Sequence, residues 1–336
     1  MATRHSRTLS AALATVVGAG LLLVPVQSAS ADTAHAARVG VLEGTRLYVK
    51  EGSIFDPWVE QADDVRKFQL EGDRIGVLRT NGQLDVKAGD LGPGWHTVNT
   101  DSVTDFQLNG DRIAYTEGTD LYITEGDFGG EIVHQDDAPV QKFQLAGDRV
   151  MVLTTDGKLK VKEGDLGPGW AVLGTGITDF SATDRHIVFL QGGRLYLRED
   201  IFGLNEPLEQ ARDVVTFRTE SDRIVWLNRQ GTLMAMRGTP YFARPVTISG
   251  SVTDFRLDGE RIAYVENGDL WAQEGSLFGP SIHQENNIDS FDVDGDLLAV
   301  IKDGALLLKA GDLFPGWYVA DDDSATAVEL LAASAN

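Results

Sequence analysis

The sequence predicts an all-β protein made of eight copies of one four-stranded unit that closes on itself as a ring. Three observations lead there. Arg38, Arg74, Arg112, Arg149, Arg185, Arg223 and Arg261 each open a short apolar run and Leu297 opens an eighth, at intervals of 36, 38, 37, 36, 38, 38 and 36 residues. Apolar residues alternate within the copies, as in Phe143 and Leu145 or Phe255 and Leu257, which is the period of a half-buried strand and not of a helix. The first copy starts with three strands of a unit, and the last segment of the chain supplies the fourth.

The elements follow in order. Arg4 and Arg7 precede an apolar run from Leu9 to Val26, and Ala29-Ser30-Ala31 offers small residues to a signal peptidase. Residues 1–31 are therefore expected to be a secretory signal peptide, followed by a short segment at 32–37 and a single domain at 38–336. The copy beginning at Arg74 serves as the template. Arg74–Leu78 and Leu84–Lys87 read as two strands around the Asn81-Gly82 turn. Gly89-Asp90-Leu91-Gly92-Pro93-Gly94 is a loop, because Gly and Pro exclude a helix there, and Trp95–Val98 reads as the third strand. Val103–Leu108 is the fourth, and Asn109-Gly110 favours the tight hairpin turn that leads into Arg112.

A four-stranded unit of this length matches a propeller blade, with a linear β-solenoid as the competing arrangement. The termini favour the ring. Arg38–Leu42, Arg46–Lys50 and Trp58–Gln61 lack a preceding strand, and Ala325–Leu330 matches the template Val103–Leu108, with Val328 in place of Phe106 and Leu330 in place of Leu108. A shared blade removes the open edge that a linear stack must cap. The expected fold is a β-propeller of eight four-stranded blades, with seven as the fallback.

The text Lys162-Glu163-Gly164-Asp165-Leu166-Gly167-Pro168-Gly169-Trp170 recurs at Lys87–Trp95 and Lys309–Trp317. It resembles the repeats of secreted actinobacterial propeller proteins and, more loosely, of tectonin-type lectin propellers and the streptomycete dispase autolysis-inducing protein. The resemblance covers nearly all of the chain after the leader. It implies a propeller fold and an extracellular life, and it carries no ligand-specific motif onto this sequence.

Composition narrows the function. With 29 Lys+Arg against 51 Asp+Glu the net charge is −22, the wrong sign for phosphate binding, so nucleic acid is not an expected partner. Loss of the leader would remove two cations and no acid, leaving the exported chain more acidic still. There is no cysteine, which excludes disulfides, thiol catalysis and thiolate metal sites. No stretch after the leader is long and apolar enough to span a bilayer as a helix, so no membrane association is expected.

Trp58, Trp95, Trp170 and Trp317 each follow a Gly/Pro loop and are the candidates for ligand binding, either as platforms for sugar rings or as wedges between blades. In the third and seventh copies the slot reads as Glu131 and Ser281. Tyr241 and Phe242 lie in the most divergent loop and are candidate protein contacts. Asp292-Val293-Asp294-Gly295-Asp296 has the look of a calcium loop but aligns with the hairpin at Gln107–Asp111. The acidic runs Asp63-Asp64, Asp136-Asp137 and Asp321-Asp322-Asp323 would project from one rim as a negative field. His134-Gln135 and His283-Gln284 share a slot in different copies, too scattered to share a metal, and no metal site or cofactor is expected. No Gly-x-Ser-x-Gly elbow, His-Glu-x-x-His or phosphate-cradling loop is present. The expected function is that of a secreted, monomeric, non-enzymatic scaffold binding an extracellular protein. A lectin-like propeller binding polysaccharide is the alternative, and a propeller hydrolase the second.

Overall fold

Each copy folds as one antiparallel sheet whose strands pair in the order in which the chain makes them. The computed structural model describes residues 35–333 except Asp127, Asp137, Asp184, 199–205, 239–243, Pro315 and 322–323, together with the two short strands Leu9–Ala11 and Val26–Ser28. Blade 2 is representative: an innermost strand Val65–Glu71, a second Arg74–Arg79, a third Leu84–Ala88 and an outermost His96–Asn99. Innermost strands Val103–Asn109, Val140–Ala146, Ile177–Ala182, Val214–Glu220, Val252–Asp258 and Ser290–Asp294 open blades 3 to 8. Blade 1 joins the two ends of the chain. Its innermost strand Ala325–Leu331 pairs with Arg38–Glu43, followed by Arg46–Glu51 and Val59–Ala62, and Val328 stands opposite Val41 and Leu330 opposite Val39. The innermost strand of blade 1 lies beside those of blades 2 and 8, so the ring is closed with eight blades. Asp292–Asp296 is a hairpin, with Asp294 paired to Leu297 across Gly295.

The core sits in the seams. In blades 2 to 8 the aromatic of the innermost strand packs into the blade before it: Phe68 and Leu70 of blade 2 cluster with Leu42, Leu47 and Val49 of blade 1, and Phe106 and Leu108 of blade 3 with Leu78, Leu84 and Val86 of blade 2. The approach is close enough to demand glycine at Gly40 and Gly76, since a Cβ on Gly76 would meet Phe106 Cε2 at 2.5 Å and one on Gly40 would run into Phe68.

An innermost strand presents an open edge to the channel, and buried backbone groups there need partners. The residue after the central aromatic supplies them from the preceding blade. Gln69 Nε2 donates to Leu108 O at 3.0 Å while Gln69 Oε1 accepts from Leu108 N at 2.8 Å. Gln144 makes the same pair with Ala182, at 3.0 and 3.1 Å. The slot departs from glutamine on the other side of the ring: Arg218 donates to Phe255 O at 3.2 Å, while Asp292 and Glu329 accept from Leu330 N and Leu70 N, each at 2.9 Å. The two short strands Leu9–Ala11 and Val26–Ser28 pair with each other and lie against the innermost strands of blades 8, 1, 2, 3 and 4.

The arginine that marks the repeats is a seam staple, buried at the start of the second strand. Arg112 Nη1 donates to Asp148 O of the next blade at 2.7 Å, Arg223 Nη1 to Glu260 O at 2.8 Å, and Arg261 Nη2 to Gly311 O at 2.7 Å. Arg38, Arg74 and Arg149 reach Gly89 O, Gly110 O and Thr183 O in the same way. In blade 5 the slot belongs to His186, one residue after the Arg185 that the repeat spacing marks, because Ile187 opposite Arg198 holds the register of Ile113 opposite Thr124. His186 Nδ1 lies 3.3 Å from Ser221 O.

Antiparallel pairing divides the connections between two faces. The turns from innermost to second strand and the Gly/Pro loops share one face, called here the loop face. The second-to-third turns and the links between blades, including Asp63-Asp64, share the other.

Candidate functional site

The four tryptophans stand at the seams. Each ends its Gly/Pro loop immediately before the outermost strand, which begins at Val59, His96, Ala171 or Tyr318 and not at the tryptophan itself. Trp58 Nε1 donates to Ala320 O at 3.0 Å, Trp95 to Gln61 O at 3.2 Å, Trp170 to Gln135 O at 3.0 Å and Trp317 to Gln284 O at 3.0 Å, always on the preceding blade. A lysine lies over each ring, Lys50, Lys87, Lys162 and Lys309, at 4.1, 5.6, 4.4 and 4.5 Å from the centroid. Burial lowers the pKa of Lys50, Lys87 and Lys309. Lys162 donates to Gln135 Oε1 at 2.9 Å and to Gly167 O at 2.7 Å. The slot shared by His134-Gln135 and His283-Gln284 thus splits its duties: the glutamine locks the seam, while His134 and His283 pack on Tyr122 and Trp271. Strand register puts Ile132, and not Glu131, in the tryptophan slot of blade 3. The indoles are half-buried with their N–H groups committed. Tyr241 and Phe242 lie outside the described residues.

On the face of the acidic links the channel mouth forms a cavity of about 1110 Å³ that includes Arg66, Lys67, Asp105, Asp254 and Arg256. Its cations are engaged locally. Lys67 pairs with Asp105, Arg256 with Asp254 at 2.9 Å, and Arg66 donates to Val103 O at 2.7 Å. Asp63 of the first acidic run pairs with Arg79 at 3.1 Å. Deeper in the channel, burial pushes Asp292 up to about 7 and raises Asp294 and Glu329 well above the ordinary carboxylate range. Among the described residues no group of three or more His, Cys, Asp or Glu is arranged to hold a metal.

The loop face carries a feature that the sequence reading passed over. The fourth residue of the loop is glycine in blades 2, 3 and 4, at Gly92, Gly129 and Gly167, but phenylalanine in blades 1, 7 and 8. Phe55 is 69% exposed, Phe278 85% and Phe314 66%. Three adjacent blades therefore present phenylalanine to solvent on one face where blades 2, 3 and 4 have glycine. The signal was legible as Ser-Ile-Phe, Ser-Leu-Phe and Asp-Leu-Phe against Asp-Leu-Gly. The acids exposed at these blades' loop-face ends are Glu260, which pairs with the exposed Arg237 of blade 6 at 3.0 Å, and Glu274, Asp296 and Asp312, whereas the arginines and lysines of these ends, Arg38, Arg261, Lys50 and Lys309, are buried. Exposed apolar clusters of this kind mark interaction surfaces.

No protein-family model and no curated protein matches the sequence. Solved structures do match. The chain is similar to AztD from Citrobacter koseri, with a TM-score of 0.61 at 10% identity over 90% of this chain and 100% of that one. It is similar to the computationally designed Ika8 protein, with a TM-score of 0.57 at 11% identity over 98% and 97%. Yeast RCC1 (Prp20), in its crystal structure with Kap60 bound, matches with a TM-score of 0.51 at 9% identity over 90% of each chain. At these identities the likeness is one of fold, and the chain is a β-propeller protein.

Proposed function

We propose that this propeller is a secreted, non-enzymatic interaction scaffold that holds a protein partner on the loop face of blades 7, 8 and 1. The observation that carries the reading is the exposed phenylalanine set Phe55, Phe278 and Phe314, carried by three adjacent blades in an acidic setting. Aromatic anchors ringed by polar groups are the composition of a protein interface. A protein of similar fold, yeast RCC1, is bound by Kap60. The tryptophans support this reading over a polysaccharide one, because each has its N–H committed within the fold and a lysine over its ring. The test is retention of a defined partner from culture fluid on immobilised protein, wild type against a Phe55→Ser, Phe278→Ser, Phe314→Ser variant. Loss of the partner with unchanged folding supports the scaffold. Retention of a polysaccharide and of no protein by the wild type replaces it with the lectin reading.

A further inference from the structure

One seam is built differently from the rest. At every other seam the slot at the start of the second strand carries a nitrogen donor that crosses to the next blade, arginine at six and His186 at one. At the seam between blades 8 and 1 that slot is Leu297. The acid that balances the arginine within a blade is missing too, since Ala310 pairs with Leu297 where Glu274 pairs with Arg261. Gly52 is the counterpart in blade 1 of Gly311, which accepts the guanidinium of Arg261.

The missing staple leaves an opening of about 600 Å³ on the loop face, lined by Gly52, Phe55, Leu297, Leu308 and Tyr318, with Asp296 on its wall. Phe55 stands at its edge with its ring edge-on to Tyr318, the centroids 4.9 Å apart. The walls are apolar enough for an aliphatic stem. Of its polar groups, a glycine carbonyl that in sister seams receives arginine and the exposed Asp296 suit a guanidinium, while the lining Lys309 is buried and engaged by Gln284 Oε1 at 2.6 Å.

We propose that this opening is a binding site for an arginine side chain of a basic, apolar-bearing protein segment, which completes from outside the staple that the other seams make within the chain. The inference rests on the scaffold reading and names the partner's chemistry and its anchor point. Charge selects the occupant. A second copy of this chain carries the same −22 and is repelled, an anionic membrane is repelled by Asp296, Asp312 and Glu274, and a cationic segment is attracted. Phe55, Phe314 and Phe278 lie on the path such a segment would follow over the sector.

The experiment measures binding of a labelled peptide of alternating arginine and leucine to the full chain by fluorescence anisotropy. Its citrulline and glutamate counterparts and phosphatidylglycerol vesicles serve as the other arms. The arginine peptide binds, citrulline weakens it at least tenfold, and glutamate peptide and vesicles do not bind. Leu297→Arg with Ala310→Glu restores the internal staple and fills the opening, so it lowers affinity at least tenfold while the melting temperature holds or rises. Leu297→Trp fills the same space without charge and gives the same loss if the double variant does not fold. Equal affinity of arginine and citrulline peptides, undiminished affinity of both filled variants, or tighter binding to vesicles overturns the site. The scaffold reading fails separately: if the wild type retains no protein partner from culture fluid, that reading falls, and if the filled variants retain the wild type's partner undiminished, the scaffold stands and the arginine site falls.

Discussion

Replacing Trp170 tests whether the repeated tryptophans are structural wedges. A tryptophan buries about 150–250 Å² when fully enclosed, so a half-buried one removes about 100 Å² of apolar surface from water, which contributes about 2.5 kcal/mol. Its N–H bond to Gln135 O, 3.0 Å long, adds about 1 kcal/mol, mostly through the carbonyl left without a donor. Trp170→Ala should therefore destabilise the fold by about 3.5 kcal/mol, and Trp170→Phe, which keeps most of the ring area but no donor, by about 1 kcal/mol. Lys162→Met deletes bonds of 2.9 and 2.7 Å and a cation 4.4 Å from the ring centroid. Part of that loss is returned because the ammonium is no longer desolvated, leaving a net cost of about 2 kcal/mol. The Lys162→Met, Trp170→Ala double variant should fall short of the sum of the singles by about 1 kcal/mol, the share held by the cation–ring contact. Urea denaturation followed by far-ultraviolet circular dichroism reads all four. Stability of Trp170→Ala within about 0.5 kcal/mol of wild type, together with loss of retention on polysaccharide, would refute the wedge.

Two further outcomes follow from the channel and the seams. Asp292, raised from an ordinary 3.8 to about 7 by burial and opposed chiefly by Arg256, holds in the folded state a proton that the unfolded chain releases. The contribution of Asp292 to stability therefore falls as pH rises from about 4 to about 7 and is level above that. Asp292→Asn, which keeps an oxygen for Leu330 N, should melt above wild type at pH 8 and close to it at pH 4; equal melting temperatures at both would count against the shift. Gly76→Val forces a side chain into Phe106 and should cost about 1–3 kcal/mol or more by urea midpoint, whereas the same change at Gly89, where a Cβ meets nothing within 4 Å, should cost only the strain of its positive φ.

Much of this architecture is legible in the sequence, and for a stated reason. Strand period, turn dipeptides and repeat spacing are local properties, so four strands per copy and eight copies follow from them. Even ring closure was readable, because Val328 and Leu330 fall where Phe106 and Leu108 fall in the template. What stayed hidden depends on neighbours in space. Gln69, Gln107 and Gln144 look like ordinary polar positions of a strand until the next blade's open edge is placed beside them. The arginine that marked each copy served as a ruler for the repeat, while its work as a staple required knowing that Asp148 and Glu260 stand across a seam. A one-residue slip then credited Arg185 with the place of His186, and another credited Glu131 with that of Ile132, because an irregular loop hides register that pairing reveals. The phenylalanines at 55, 278 and 314 were in plain view, but alternation does not distinguish a loop aromatic that packs from one that faces water.

Hydrogen exchange of the full chain, free and bound to its partner, tests the functional account most directly. Slowed exchange at 52–56, 276–279 and 312–314, with the second-to-third turns at 44–45, 80–82 and 303–304 unchanged, is the predicted result. Protection confined to those turns and the channel mouth, with the phenylalanine loops exchanging as in the free protein, would contradict it.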